Sequence, residues 1–300
     1  MHLARAVVVA VALVGATLAV GAHPAGAAGP TYPTWSGTRE VTYCDPGGQP
    51  LAMTLFAPAA QDHPVPLVLQ VHGGGWERGH RLDDLASSST AQALVAAGFA
   101  VASIDYRLAP ANPWPDQIDD VTCAVRYLRA QAGPLGIDPA HLAAWGSSAG
   151  GQLVALLGTS GAAFPGDGQW PDQPDTVAAV VDEFGPADLT DPLWPSYTAG
   201  IIRQVFGRDP GPSAALALAS PADHVAPGDP PFLILQGTAD RIVPATQSEE
   251  LAARLQAAGD RADLVLVRGG GHGLGTPGES PGTAVQDQRI VDFLQQLLGR

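Results

Sequence analysis

Apolar residues in the chain fall into short runs that alternate with longer segments of helical periodicity. Short continuous apolar runs are typical of strands buried on both faces. The predicted strands of this kind are Pro66–Val71, Phe99–Ile104, Leu142–Trp145, Val177–Val181, Phe232–Leu235 and Leu264–Val267. Helical patterns between and after them cover Leu85–Ala97, Gln117–Ala132, Gln152–Leu157, Thr246–Ala258 and Val285–Leu298. Strands that alternate with helices predict an α/β fold, with a mostly parallel central sheet covered by helices on both faces.

Two further segments complete the predicted domain. Arg39–Tyr43 and Ala52–Ala57 alternate apolar and polar residues on either side of a Pro-Gly-Gly turn, which predicts an antiparallel pair of strands. Residues 188–230 are too long for a simple connection and predict a small partial cap over the site. With no internal repeat or linker in the sequence, we expect a single domain over residues 29–300.

The N-terminus has the three regions of a secretory signal peptide. A basic start is followed by the apolar stretch Ala6–Val20 and by the small-residue stretch Gly21–Ala28. We expect residues 1–28 to be removed, with cleavage after Ala27 or Ala28. The alternative, a membrane anchor, would need about 20 apolar residues. The mature protein is therefore expected outside the cell and not in a membrane.

The net charge of the chain indicates which classes of binding partner are not expected. The 300 residues carry a formal net charge of -14. Such an acidic chain is not expected to bind nucleic acid or an anionic membrane surface.

The sequence contains only two cysteines, Cys44 and Cys123. An even number of cysteines in an exported protein favours a disulfide bond between them. Two separately buried thiols are the alternative.

The clearest chemical signal is Gly146-Ser147-Ser148-Ala149-Gly150, which follows a predicted strand and precedes a helical pattern. This is a G-x-S-x-G turn, in which Ser148 is raised above the sheet on strained backbone. The glycines avoid a collision between a Cβ atom and the packed strand and helix. A Gly/Ser-rich loop of a nucleotide-binding fold is the alternative interpretation of this motif taken alone.

A second glycine-rich turn, His72-Gly73-Gly74-Gly75-Trp76, follows the first buried strand. Successive glycines let backbone N–H groups face a bound anion, as in the HGGG-type oxyanion loop. We therefore predict that the amides of Gly74, Gly75 and Ala149 form an oxyanion hole. A flexible glycine linker is the alternative, and His72 is expected to brace the loop.

Two candidate partners of Ser148 come later in the chain, in the order that this type of site requires. Asp240 lies just past the predicted strand Phe232–Leu235, and His272 lies among glycines just past the next strand. Both would reach the carboxyl edge of the sheet, where Ser148 lies. Asp263 is a rival acid, but it opens a strand and so lies at the opposite edge.

Taken together, these motifs resemble the α/β-hydrolase esterases, close to the hormone-sensitive-lipase-like and feruloyl/acetyl-xylan-esterase-like group. Asp105-Tyr106-Arg107-Leu108-Ala109-Pro110 and Pro230–Ile234 add to the resemblance, which extends from about Glu40 to the C-terminus. The resemblance implies Ser148 as nucleophile, His272 as base and Asp240 as its orienting acid. It implies no metal ion and no organic cofactor.

Two positions depart from that group. Ser147 stands where such enzymes often have Asp or Gly, and Glu183 stands where an aromatic residue is common. We expect Ser147 to tune activity and Glu183 to make the pocket wall more polar. Candidate pocket residues are Trp76, Trp194, Tyr197 and Phe206, with Ile201 and Ile202 beside them.

The expected activity is hydrolysis of short-acyl or aromatic-acyl carboxylic esters, including acetyl or feruloyl esters of plant polysaccharide. The main alternative is a lipase or polyester hydrolase. A secreted serine peptidase would share this core but usually has a large extra domain. A non-catalytic binding protein of the same fold usually lacks one of the three residues Ser148, Asp240 and His272.

Overall fold

The computed structural model describes residues 38–58, 63–83, 85, 88–166 and 168–299. The predicted signal peptide, residues 1–28, lies outside the described residues. The described residues belong to one compact unit. None of the helices in the described ranges has the length and apolar character needed to cross a membrane.

Eight strands form one sheet in the order β1-β2-β4-β3-β5-β6-β7-β8. They are β1 (Thr38–Cys44), β2 (Leu51–Phe56), β3 (Val65–Val71), β4 (Ala100–Ile104), β5 (Ile137–Ser147), β6 (Val180–Glu183), β7 (Phe232–Gly237) and β8 (Ala262–Val267). Strands β1, β2 and β4 pair antiparallel, and all other neighbours pair parallel. This confirms the α/β fold with a mostly parallel sheet.

The helices follow the predicted order. They are α1 (Ser89–Ala96), α2 (Asp116–Ala130), α3 (Ala132–Leu135), α4 (Ala149–Thr159), α5 (Ser196–Phe206), α6 (Ala214–Leu218), α7 (Pro221–His224), α8 (Ala245–Ala258) and α9 (Thr283–Leu298). Helices α5, α6 and α7 all lie in the segment that we predicted as a cap.

The core has two parts, one on each face of the sheet. Alternate residues of a strand face opposite sides. Accordingly, Leu67 and Leu69 of β3 belong to one apolar cluster with buried residues of α2, α4 and α8, whereas Val68 belongs to a second cluster with those of α1 and α9. The helices therefore cover both faces, as the apolar runs predicted.

Most boundaries lie within a few residues of the predictions, and the differences have local causes. Helix α1 begins at Ser89 and not at Leu85, because the Ser88 side chain accepts a hydrogen bond from the Ala91 N–H at 3.1 Å and caps the helix. Strand β6 is displaced toward the C-terminus, because Val180–Glu183 pair with β5 and β7.

Candidate active site

Ser148 lies on the sharp turn between β5 and α4. Its backbone angles are φ 54° and ψ -119°, a region that non-glycine residues rarely adopt. A Cβ atom on Gly146 would overlap the Gly150 carbonyl, and one on Gly150 would overlap the Val71 carbonyl. The strained turn and the need for both glycines therefore agree with the prediction from the motif.

The structure brings Ser148, His272 and Asp240 together in one chain of hydrogen bonds. His272 Nε2 lies 2.9 Å from Ser148 Oγ, and His272 Nδ1 lies 2.8 Å from Asp240 Oδ2. Because a carboxylate only accepts hydrogen bonds, Nδ1 carries the proton when the ring is neutral. Nε2 is then free to accept the hydroxyl proton of Ser148, which is the arrangement needed for a general base.

Asp240 is held as a charged acceptor at the base of this chain. Burial alone would raise the pKa of its fully covered carboxyl group. Hydrogen bonds from His272 and from the backbone N–H groups of Ile242 and Val243 outweigh burial and lower the pKa below its ordinary value. The rival Asp263 pairs with Arg261 at 2.6 Å and has no contact with His272 in the described structure.

The His272 loop has a further brace that the sequence did not reveal. The Glu279 carboxylate accepts hydrogen bonds from the N–H groups of Gly275 and Thr276, each at 2.8 Å. The Phe184 ring contacts the His272 ring edge-on, with 4.9 Å between ring centroids. These contacts limit the positions that the imidazole can adopt.

The glycine-rich loop after β3 runs beside the nucleophile. A Cβ atom on Gly73 would lie 3.4 Å from the Ser148 Cβ. Gly74, at φ 113°, turns the chain so that its carbonyl accepts hydrogen bonds from the N–H groups of Glu77 and Arg78. Among the described residues, no hydrogen bond uses the N–H groups of Gly74, Gly75 or Ala149. They remain the candidate oxyanion donors.

The segment after β4 supports this loop. Tyr106 stacks on the His72 ring with centroids 4.3 Å apart, and its hydroxyl donates to the His72 carbonyl at 3.1 Å. The Ala109 N–H donates to the Trp76 carbonyl at 2.9 Å. These contacts explain structurally why an aromatic residue and a short turn follow β4.

A buried ion pair fixes that segment in turn. Arg107 pairs with Asp120 of α2 at 2.7 Å. Burial raises the pKa of Asp120 to about 6, although hydrogen bonds from Arg107 act in the opposite direction. The motif from Asp105 to Pro110 is therefore positioned by α2 and in turn positions the glycine-rich loop.

A cleft of about 780 Å³ opens beside Ser148. Of the four predicted pocket residues, Trp76 and Tyr197 line it. Trp194 and Phe206, also predicted, are not among its lining residues. The Trp194 Nε1 donates to the Asp188 carbonyl at 3.0 Å, and the Phe206 ring packs edge-on against Trp76, so both belong to the packing beside the cleft.

Other residues that line the cleft were not predicted. They include Gln70, Thr90, Trp145, Ile242, Val243, Gln286 and Asp287. The alternation along β3 and β5 could have indicated Gln70 and Ser147, since each follows a buried apolar residue by two positions. No sequence pattern indicated Thr90 or Asp287, because the packing of α1 against α9 brings them there.

Comparison with known proteins shows the family. A family model described as BD-FAE matches residues 53–255. The chain belongs to the BD-FAE family. A second model, described as TAP-like protein, matches residues 216–297.

Relatives of this BD-FAE family member include esterases. "Esterase LipC" of Mycobacterium tuberculosis is 32% identical over 70% of this chain and 53% of its own length. "Carboxylesterase NlhH" of the same species is 34% identical over 51% of this chain and 44% of its own length. The chain thus spans about half the length of these curated relatives.

One solved structure matches this chain over nearly the full length of both proteins. The "truncated form of carbohydrate esterase from gut microbiota" superposes with a TM-score of 0.79 and 30% identity, covering 90% of this chain and 99% of its own. An esterase of Thermogutta terrifontis with butyrate bound has a TM-score of 0.73 and 23% identity, covering 88% of this chain and 95% of its own. The second likeness shows the fold alone, and both agree with an α/β-hydrolase.

Proposed function

We propose that the protein is a secreted serine esterase that hydrolyses carboxylic esters through an acyl-enzyme. The observation that carries the proposal is the continuous hydrogen-bond chain from Ser148 through His272 to Asp240. The esterase names of its relatives support the reaction class. The leader-like residues 1–28 and the disulfide bond between Cys44 and Cys123 support export to an oxidising compartment.

The proposed reaction has two halves. In the first half, the Ser148 hydroxyl attacks the ester carbonyl while His272 Nε2 takes its proton, and the amides of Gly74, Gly75 and Ala149 stabilise the oxyanion. The tetrahedral intermediate then expels the alcohol, which receives the proton from His272. In the second half, water attacks the acyl group with His272 again as base, and Ser148 regains its proton as the acid leaves.

The charge on Asp240 contributes to each proton transfer. A negative carboxylate next to Nδ1 stabilises the imidazolium that forms when His272 accepts a proton. The lowered pKa of Asp240 keeps this carboxylate ionised. Its complete burial limits competition from water for the hydrogen bond to His272.

For the substrate, we propose short-acyl or aromatic-acyl esters, including those carried by polysaccharides. The relative described as a carbohydrate esterase supports the carbohydrate part of this proposal. The cleft supports a soluble ester, since polar and apolar residues line it together.

The test is covalent labelling with an organophosphate, which reacts with activated serine hydroxyls. Paraoxon should abolish hydrolysis of 4-nitrophenyl acetate and add its diethylphosphoryl group to Ser148, located by peptide mass spectrometry. Ser148→Ala should fold normally, take up no label and lose at least about 10⁴-fold in kcat, because no nucleophile remains.

Ser196→Ala is the matched control, since Ser196 is an exposed serine at the start of α5. This variant should take up the diethylphosphoryl label at Ser148 and hydrolyse 4-nitrophenyl acetate with the same kcat as the wild type. Label on another residue, or a folded Ser148→Ala variant that keeps more than a few per cent of wild-type kcat, would show that Ser148 is not the nucleophile.

A further inference from the structure

The cleft beside Ser148 has two unlike walls. One wall is formed largely by α5 and the segment after Asp240, and it is mainly apolar, with Tyr197, Ile201, Ile242 and Val243. The Thr198 hydroxyl donates to the Ile242 carbonyl at 2.7 Å and joins these two segments. The other wall lies on the face of the sheet that α1 and α9 cover, and we call it the polar wall.

The strand ends place polar side chains on the polar wall. Residues two apart on a strand face the same side. Gln70 follows Val68 by two positions, and Glu183 follows Val181 in the same way. Both apolar residues belong to the cluster that contains the buried residues of α1 and α9. Ser147 follows Trp145 by two positions, and Trp145 packs in the same cluster. All three polar residues line the cleft.

The two helices add a hydrogen-bonded pair to this wall. The Thr90 hydroxyl of α1 donates to the Asp287 carboxylate of α9 at 2.6 Å, and both side chains are largely buried. Both residues line the cleft. The packing of α1 against α9 therefore holds the Thr90 and Asp287 part of the polar wall in place.

Glu183 of the polar wall is hydrogen-bonded to the nucleophile through its backbone. Its backbone carbonyl accepts the Ser148 N–H at 2.9 Å. Its carboxylate accepts the Trp145 Nε1–H at 2.9 Å, and Trp145 is itself buried. A buried donor thus orients the carboxylate in the wall of the cleft.

The charges that line the cleft are unevenly distributed. In the described part of the chain, the acidic lining residues are Asp83, Glu183 and Asp287, and the guanidinium is that of Arg78. Arg78 donates to the Tyr197 hydroxyl at 3.1 Å, beside the apolar wall. A carboxylate accepts hydrogen bonds from hydroxyl groups and repels another carboxylate, most strongly where water is partly excluded.

We propose that Glu183 sets the charge selectivity of the esterase. Its carboxylate accepts hydrogen bonds from hydroxyl groups of a neutral polyhydroxylated ester and excludes esters that carry an ionised carboxylate at that position. This inference rests on the proposed esterase function. It separates neutral sugar esters from esters of uronic acids, which the proposed function alone does not do.

The test compares neutral and anionic esters in two matched pairs. On the alcohol side, the pair is the acetate of methyl xyloside and the acetate of methyl glucuronide with its carboxylate free. On the acyl side, the pair is 4-nitrophenyl 6-hydroxyhexanoate and the 4-nitrophenyl monoester of adipic acid. One pair tests the case in which the alcohol part of the ester lies against the polar wall, and the other pair tests the case in which the acyl part lies there.

In wild-type protein, kcat/KM for the neutral ester should exceed that for the anionic ester by at least about tenfold in one pair or both. Glu183→Gln keeps an oxygen acceptor without the charge. It should reduce this ratio to within about threefold of unity, mainly by raising kcat/KM on the anionic ester. Glu183→Ser serves the same purpose if the glutamine variant does not fold.

Glu249→Gln is the matched control, because it makes the same charge change at an exposed position of α8. Its ratio should equal that of the wild type. Hydrolysis of neutral esters without discrimination in either pair, or a ratio that Glu183→Gln leaves unchanged, would overturn the inference while the proposed function stood. Folded wild-type protein that cleaved no ester would reject the proposed function and, with it, this inference.

Discussion

At the scale of single residues, two neighbours on β6 carry carboxyl groups in opposite surroundings. Glu183 lines the cleft, whereas Asp182 faces the other side of the sheet and is 1% exposed. Asp182 Oδ1 accepts the Gly185 N–H at 2.9 Å, and Oδ2 has no hydrogen-bond partner among the described residues. Burial raises the pKa of Asp182 to about 7, since the one backbone hydrogen bond opposes it only partly.

This raised pKa predicts a pH dependence of stability. In the unfolded chain an aspartate loses its proton near pH 4, while folded Asp182 keeps its proton up to about pH 7. The stability that Asp182 contributes is therefore complete below pH 4 and is lost as the pH rises toward 7. The loss is on the order of 1 kcal/mol per pH unit.

The variant Asp182→Asn should remove the pH-dependent part of the free energy of unfolding that comes from Asp182. The free energy of unfolding, measured with urea at pH 5, 6, 7 and 8, should fall less steeply with pH in this variant than in wild type. Asp292→Asn, at an exposed position of α9, is the control and should keep the wild-type slope. Equal slopes in all three proteins would show that Asp182 does not titrate in this range.

At the scale of elements, two kinds of connection hold α2 in place. The ion pair between Arg107 and Asp120 links α2 to the segment after β4, which supports the glycine-rich loop. The disulfide between Cys44 and Cys123 links α2 to the end of β1, and both cysteines are buried. The first connection lies close to the site, and the second joins α2 to the edge of the sheet.

Removal of the disulfide should lower stability with little effect on catalysis. The two cysteines are 79 residues apart. Closing a loop of this length stabilises the folded state by at most about 4.5 kcal/mol in the chain-entropy model. The variant Cys44→Ala/Cys123→Ala should lose part of that free energy of unfolding in urea titrations and keep kcat/KM within about twofold, since neither cysteine lines the cleft.

Mass spectrometry of unfolded, unreduced wild-type protein is the accompanying check. Its mass should be that of the oxidised protein. Two free thiols, or a double variant as stable as the wild type, would contradict the prediction.

At the scale of the whole molecule, the segment over residues 188–230 supplies Tyr197, Thr198 and Ile201 to the lining of the cleft. It exposes Leu193, Tyr197 and Leu218. It also exposes Arg203, Arg208 and Asp209. A lipase needs a continuous apolar surface at the lipid interface, whereas this surface mixes apolar and charged side chains.

We therefore expect a preference for short acyl chains and no interfacial activation. With 4-nitrophenyl esters, kcat/KM should peak at two to six carbons, an order-of-magnitude range set by a cleft that is partly polar. Activity should not rise when the substrate exceeds its micellar concentration. A steady rise to twelve carbons or more, with a jump at that concentration, would favour the lipase alternative.

The sequence predicted the buried strands more fully than the lining of the cleft. The buried strands were found because a strand covered on both faces must be apolar throughout, and that requirement is local. The clustering of Ser148, Asp240 and His272 was predictable for a related reason. Each follows a strand, and parallel strands end at a common edge.

The lining of the cleft could not be predicted to the same extent, because it depends on side-chain direction within α5 and its surroundings. Trp194 and Phe206 have the residue type expected of a pocket, but they turn toward the core beside it. Residue type indicates that a side chain will be buried. Which residues it then contacts is determined by the packing of α5, α6 and α7.

The sequence by itself determined the buried strands, the turn that carries Ser148 and the chain order of Ser148, Asp240 and His272, because each can be recognised from a short stretch of residues. Only the tertiary structure determined the polar wall, where Glu183 and Ser147 at the strand ends meet Thr90 and Asp287 of two helices. Thr90 and Asp287 are far apart in the chain, and no local pattern links them. Their contact follows from the packing of α1 against α9 on one face of the sheet.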